Sequence, residues 1–218
     1  GRFQTIGPAD GLFMSDVRLS IALVRKEKNP HLFDPTDLVT AAFADNGLSE
    51  AMVEAKTLVR LSYISEQPLR DRRHLQFLAH AADAYASLTG SALILDPVAG
   101  IPRTKSDMES WLSSELDLTI PQGQVQWDEE RSEDTVRWKS RGFVKLGYPE
   151  IETYDISADQ AMLTRELLES LTKSHWYGPL TPENDAEAEL YGDRFVFVLE
   201  KTKSPNLMML RILRLQEK

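Results

Sequence analysis

The spacing of apolar side chains changes several times along this chain, and the changes divide it into predicted elements. The clearest lies over residues 70–97. Leu75, Phe77, Leu78, Ala81, Ala82, Tyr85 and Leu88 fall on one arc of a helical wheel, with Arg72, Arg73, Gln76, His80, Asp83 and Ser87 opposite. This predicts a helix that covers a core with one face, capped by Asp71 and stopped by Gly90, the residue that takes a left-handed C′ conformation without steric cost. The run 92–95 then reads Ala-Leu-Ile-Leu with no alternation. It predicts a central strand with both faces covered, ended by Asp96, Pro97 and Gly100.

Period two marks the strands elsewhere. Leu19, Ile21 and Leu23 alternate with Ser20 and Ala22, which predicts a strand over 18–25 whose apolar face is the better buried. Val59, Leu61 and Tyr63 predict a second over 57–64, and between the two Asp34, Pro35 and a Phe33–Leu38 staple open a helix that Gly47 closes. Ser106 and Glu109, in capping-box spacing, predict a short helix near 105–116. Residues 117–134 lack a helical period and hold an acidic cluster from Asp128 to Asp134, so they predict a loop. Strands follow over 135–146 and 150–156, hinged at Gly147, Tyr148 and Pro149. Ser157 and Gln160 then open a helix carrying Leu163, Leu167 and Leu171. The polar stretch 178–192 reads as a loop, and the apolar runs 195–199 and 207–215 as strands joined by a Lys-Ser-Pro-Asn turn.

This order predicts an α+β fold: a mixed, largely antiparallel sheet with helices packed mainly on one face, in a single domain over 1–218 after an irregular lead-in at 1–16. The first two strands and the helix between them supply the elements of a split βαβ or ferredoxin-like unit.

Composition narrows the function. A net charge of -9 over 218 residues disfavours nucleic acid and anionic membranes as partners. With no cysteine there is no disulfide framework, thiolate nucleophile or cysteine-held metal. No apolar run is long enough to span a bilayer, so the expectation is a soluble, cytoplasmic protein without membrane insertion. Gly1 stands where a methionine would open a chain, which leaves room for a removed leader.

Neither the glycine spacing of a dinucleotide or phosphate loop nor a Gly-x-Ser-x-Gly elbow occurs. The four histidines, His31, His74, His80 and His175, have no partner histidine at three- or four-residue spacing, so no metal and no cofactor is expected. His74 lies within the apolar arc of its helix. With Asp96 at the end of the next strand as orienting carboxylate, it would serve a hydrolase as general base; alone, it is a core histidine. The unusual local feature is cationic. Arg137, Lys139 and Arg141 share one strand face, with Val136 and Trp138 on the other, in an otherwise acidic chain. They predict either a contact for an acidic partner or a solvated edge that resists strand addition. Trp176 and Tyr177, after His175, form an aromatic group suited to a protein contact or to a buried helix end. The expectation is a non-catalytic protein-binding or scaffolding module of bacterial type, contacting an acidic partner protein through Arg137, Trp138, Lys139, Arg141, Trp176 and Tyr177. A hydrolase built on His74 and Asp96 is the alternative.

Overall fold

The computed structural model describes residues 17–34, 48–65, 72–113 and 119–215. The predicted lead-in, the predicted helix after Asp34 and the predicted cap Asp71 lie outside the described residues. Where the sequence pattern predicts one domain, backbone contacts group the chain into two compact units, Gly1–Thr119 and Ile120–Lys218.

In the first unit, β1 (Val17–Arg25) and β2 (Thr57–Ser65) pair antiparallel along their whole length. Apolar rungs fix the register: Leu19 lies opposite Tyr63, Ile21 opposite Leu61 and Leu23 opposite Val59. A split βαβ unit needs parallel strands, so this direct antiparallel pairing does not supply one. Nor is the apolar face of β1 buried, since Leu19, Ile21 and Leu23 are all exposed. Alternation identifies a face but not what lies over it.

Helix α1 (Leu48–Glu54) buries Met52, and helix α2 (Arg73–Thr89) buries Leu75, Ala79 and Ala86. Gly90 ends α2 as predicted, with φ of 65° and its amide on the Ala86 carbonyl. The wheel overextends the buried arc, because Leu88 in the last turn is 82% exposed. Strand β3 (Leu93–Asp96) is not central. Among the described residues it pairs only with β4 (Ile101–Thr104), and its side chains are half-buried. Leu93 and Leu95 pack on Met52. The unbroken apolar run therefore reflects helical cover over its faces, which says nothing about strands at its edges. Helix α3 (Lys105–Ser113) begins at a capping box set two residues before the predicted one. The Asp107 amide donates to Thr104 Oγ1 at 3.1 Å, and the Thr104 amide donates to the Asp107 carboxylate at 2.9 Å.

The second unit holds a seven-stranded mixed sheet in the order β5–β6–β7–β11–β10–β9, with β8 paired to β6. The strands are β5 (Gln126–Arg131), β6 (Thr135–Arg141), β7 (Glu150–Thr153), β8 (Ile156–Ser157), β9 (Ala186–Leu190), β10 (Asp193–Lys201) and β11 (Leu207–Leu215). Only β7 and β11 run parallel. Helix α4 (Ala161–Tyr177) lies between β8 and β9 in the chain. Its Leu167, Leu168, Leu171 and Trp176 are buried, as are Val136, Trp138, Ile151, Phe195, Phe197 and Leu210 of the sheet. One sheet face thus belongs to the core, in the α+β arrangement that the pattern predicts.

Two predicted loops contain strands. Within 117–134, β5 pairs with β6 so that Asp128 lies opposite Lys139 and Glu130 opposite Arg137. Its acidic composition hides a strand whose cross-strand neighbours are cationic. Within 178–192, β9 pairs with β10 through a hairpin closed by Leu190 and Asp193. Tyr191 and Gly192 both have positive φ, 54° and 83°, as a two-residue type I′ turn requires. The predicted strand over 135–146 stops at Arg141, because Gly142 turns the chain at φ 122° into the 3₁₀ segment Phe143–Leu146. The Glu150 carboxylate holds that turn, accepting from the amides of Gly142 at 2.8 Å and Val144 at 3.2 Å and from Ser140 Oγ at 2.7 Å. Among the described residues no helix is long and apolar enough to cross a membrane.

Candidate binding site

Arg137, Lys139 and Arg141 do share the face of β6 opposite the buried Val136 and Trp138. Two of the three cations already have anions in the same chain. Arg141 donates to Asp128, and Arg137 to Asp155 at 2.9 Å and Glu152 at 3.3 Å. The Asp155 hydrogen bond raises the Arg137 guanidinium above its ordinary value, with Glu152 and Glu130 adding to the effect. Lys139 is exposed. The cationic strand and the acidic cluster are therefore largely the two halves of one ladder, which lowers the field available to an acidic partner.

The predicted aromatic contacts divide. Trp138 and Trp176 are core residues, and a side chain without accessible surface has nothing to offer a partner. Tyr177, 59% exposed, lies outside. Its neighbour His175 is fully buried, edge-on to Phe143 at 4.6 Å and Tyr148 at 5.4 Å. His175 Nδ1 accepts the Leu180 amide at 3.0 Å, and loss of water pushes the ring down to about 4. The Pro149 carbonyl acts weakly the other way, yet Nε2 satisfies no hydrogen-bond geometry; burial decides the outcome. His74, half-buried, stacks on Tyr63 of β2 with ring centroids 5.1 Å apart. Asp96 Oδ1 accepts from the amides of Val98 and Ala99 at 3.1 and 3.2 Å, the Asx turn that reverses the chain into β4. Both residues thus have structural work within the first unit.

The sheet of the second unit also forks. β11 pairs with β7 only from Leu207 to Leu210, and the Tyr154 amide makes the last bond to the Leu210 carbonyl. The chain then bulges at Tyr154 and Asp155 and, as β8, stays with β6. β11 continues to Leu215 along β10. Residues 211–215 consequently have a strand on one side and, among the described residues, none on the other. A cavity of about 390 Å³ lies in the fork. Leu163, Thr164 and Leu167 of α4 line one side, Ile156 and Ser157 of β8 another, and Leu210, Ile212 and Phe195 a third.

Backbone direction at this edge follows from the bonds on either side. The carbonyls of Asn206 and Leu210 point to β7. Alternation then turns the N–H and C=O groups of Ile212 and Arg214 into the fork, and those of Arg211, Leu213 and Leu215 toward β10. Side chains alternate too, so Ile212 and Arg214 share the core side with the buried Met208 and Leu210. The edge arginines line this cavity and pair with carboxylates of β10. Arg214 bonds Asp193 at 2.6 Å, and Arg211 bonds Glu200 at 3.0 Å while stacking over Tyr154 at 5.2 Å. The Tyr154 hydroxyl also donates to Glu200, at 2.6 Å, which holds the tyrosine proton more tightly than usual.

Comparison with family models, curated proteins and solved structures finds no match to this chain. The site accordingly rests on geometry alone.

Sequence reasoning missed the fork because it lies in a pairing between residues far apart along the chain. A partial signal existed: the predicted strand 150–156 is shorter than the run 207–215, and a nine-residue strand beside a short neighbour leaves an edge.

Proposed function

We propose that this chain is a protein-binding module whose contact is the fork between β8 and β11. The observation that carries this reading is the edge of β11 beyond Leu210, unpaired among the described residues, beside a cavity of about 390 Å³ with a mixed lining. Exposed strand edges recruit other chains unless side chains block them. Here the two arginines beside the edge line the cavity and have their charges paired with Glu200 and Asp193 of β10. The mixed lining also suits recognition, with Leu163, Leu167 and Ile212 supplying apolar surface and Thr164, Ser157 and Gln160 polar groups. The contact expected from sequence at Arg137, Lys139 and Arg141 gains less support, given the carboxylates already on two of the three.

The test is selection of linear peptides from a displayed random library on the intact chain, followed by binding measurements on Leu163→Trp, which fills the cavity, and on Ile212→Lys, which places a charge in it. Thermal unfolding of each variant verifies the fold. Selected peptides should weaken by about tenfold or more on both variants, the loss expected when one buried apolar contact goes. Peptides that bind both variants as well as the unaltered chain, or a library from which none is enriched, would overturn the reading.

A further inference from the structure

Given a contact at the fork, we infer how the partner is read: an extended segment adds to β11 antiparallel, using the backbone groups of Ile212 and Arg214, and places an apolar side chain opposite Ile212. The inference rests on the proposed function and goes beyond it in naming the partner's conformation, direction and register.

Three observations converge on it. First, the orphan groups come in strand spacing. Ile212 and Arg214 each present one N–H and one C=O to the fork, two residues apart, and among the described residues neither has a partner for them. In an antiparallel pair, such residues exchange both bonds with the residue opposite, so two ligand residues satisfy all four groups. A helix cannot offer backbone groups at that spacing, because it spends them internally. Second, antiparallel ladders are the more stable per residue, and a separate segment is free of the chain connections that set β7 parallel to β11. Third, the faces differ. Directly opposed residues share a sheet face. The ligand residue opposite Ile212 therefore points to the core side, where Leu163, Leu167 and Phe195 line the cavity. The residue opposite Leu213 points to the outer face, where the Tyr154 ring and Arg211 lie. The resulting code alternates: apolar inward opposite Ile212, tolerant outward opposite Leu213.

N-methylation tests this without altering the protein. It removes one N–H from a chosen peptide residue and leaves the side chain in place. For a peptide selected on the intact chain, methylation should cost about tenfold at the residues opposite Ile212 and Arg214. At the residue between them it should cost much less, because that N–H points away. A spin label at the peptide C-terminus should broaden amide resonances near Tyr154 and Leu210, and one at the N-terminus those near Leu215. A flat methylation profile in a peptide that still weakens on Leu163→Trp would overturn strand addition while leaving the fork as the contact. The reverse pattern of broadening would overturn the direction. Peptides indifferent to Leu163→Trp and Ile212→Lys would remove the proposed function itself, and this inference with it.

Discussion

His175 Nδ1 accepts the Leu180 amide at 3.0 Å, so a ring at the end of α4 anchors the segment that leads into β9. The acceptor role requires a neutral ring, and full burial against Phe143 and Tyr148 enforces neutrality. The folded value near 4 lies below the ordinary 6.5. Between those limits the unfolded chain binds a proton that the folded chain refuses. The contribution is thus fully present above about pH 6.5, falls as the pH drops through the window, and is gone below about 4. Its size is on the order of 3 kcal/mol. Urea midpoints taken across pH 4 to 7 should show this slope. In His175→Phe the slope should flatten, while the unfolding free energy at pH 7 drops by about 1–3 kcal/mol because the Leu180 amide loses its acceptor. An unchanged slope in the variant would remove the assignment.

Gly142 and Gly147 bracket the same 3₁₀ segment but should respond differently to alanine. Both have positive φ, 122° and 76°. A Cβ at Gly142 would lie 2.2 Å from the backbone oxygen of Gln124, whereas one at Gly147 meets nothing within 4 Å. Gly147→Ala therefore carries only the left-handed penalty of about 1–2 kcal/mol. Gly142→Ala must also displace backbone, and should cost about 3 kcal/mol or more. Urea unfolding of the two variants checks the order; equal losses would mean that the 120–125 segment yields freely.

Thr104 gives a more local test. Its side chain accepts the Asp107 amide at 3.1 Å and donates to the Asp107 carboxylate at 2.6 Å. The hydroxyl's bond, followed by that of the Thr104 amide to the same carboxylate, holds the Asp107 carboxyl below its ordinary range. Thr104→Val should cost about 0.5–2 kcal/mol and speed amide exchange in the first turn of α3. Ser106→Ala, at the predicted cap, should have less effect.

How far the sequence reveals this structure depends on the range of the interaction involved. Gly90 and the α2 periodicity are local, and both are legible. The capping box of α3 is local too, but two overlapping candidates, Thr104 with Asp107 and Ser106 with Glu109, satisfy similar rules; only the backbone distinguishes them. β5 and β9 escape because Asp128, Glu130, Glu187 and Glu189 read as loop until their partners are known. For β5 those partners are Lys139 and Arg137, supplied by β6. The candidate site is legible least of all. The alternation of Arg137, Lys139 and Arg141 is real, but its meaning depends on Asp128, Glu152 and Asp155, which pairing brings alongside. The fork is defined by where β7 leaves β11, a property of two segments more than fifty residues apart.

The junction of β6 and β7 rests on side chains where backbone bonds would be expected. The two strands share one directly bridged pair, Lys139 and Glu152. On either side of it a buried hydroxyl takes the place of a ladder carbonyl: Thr153 Oγ1 accepts the Trp138 amide at 2.9 Å, and Ser140 Oγ accepts the Ile151 amide at 2.7 Å. Both hydroxyl residues are fully buried, so water cannot replace them. Thr153→Val keeps the shape and should cost about 1–3 kcal/mol, the penalty for leaving the Trp138 amide unpaired. Ser140→Ala should cost more than Thr153→Val, since Ser140 also donates to the Glu150 carboxylate at 2.7 Å and that carboxylate holds the turn at Gly142. The two losses belong to one ladder, so the double variant should depart from additivity by about 0.5 kcal/mol or more. Native-state amide exchange at Trp138 and Ile151 reads each bond separately. Protection that survives at Trp138 in Thr153→Val would show that the amide has found another acceptor, and that the hydroxyl is not what closes the sheet beside the fork.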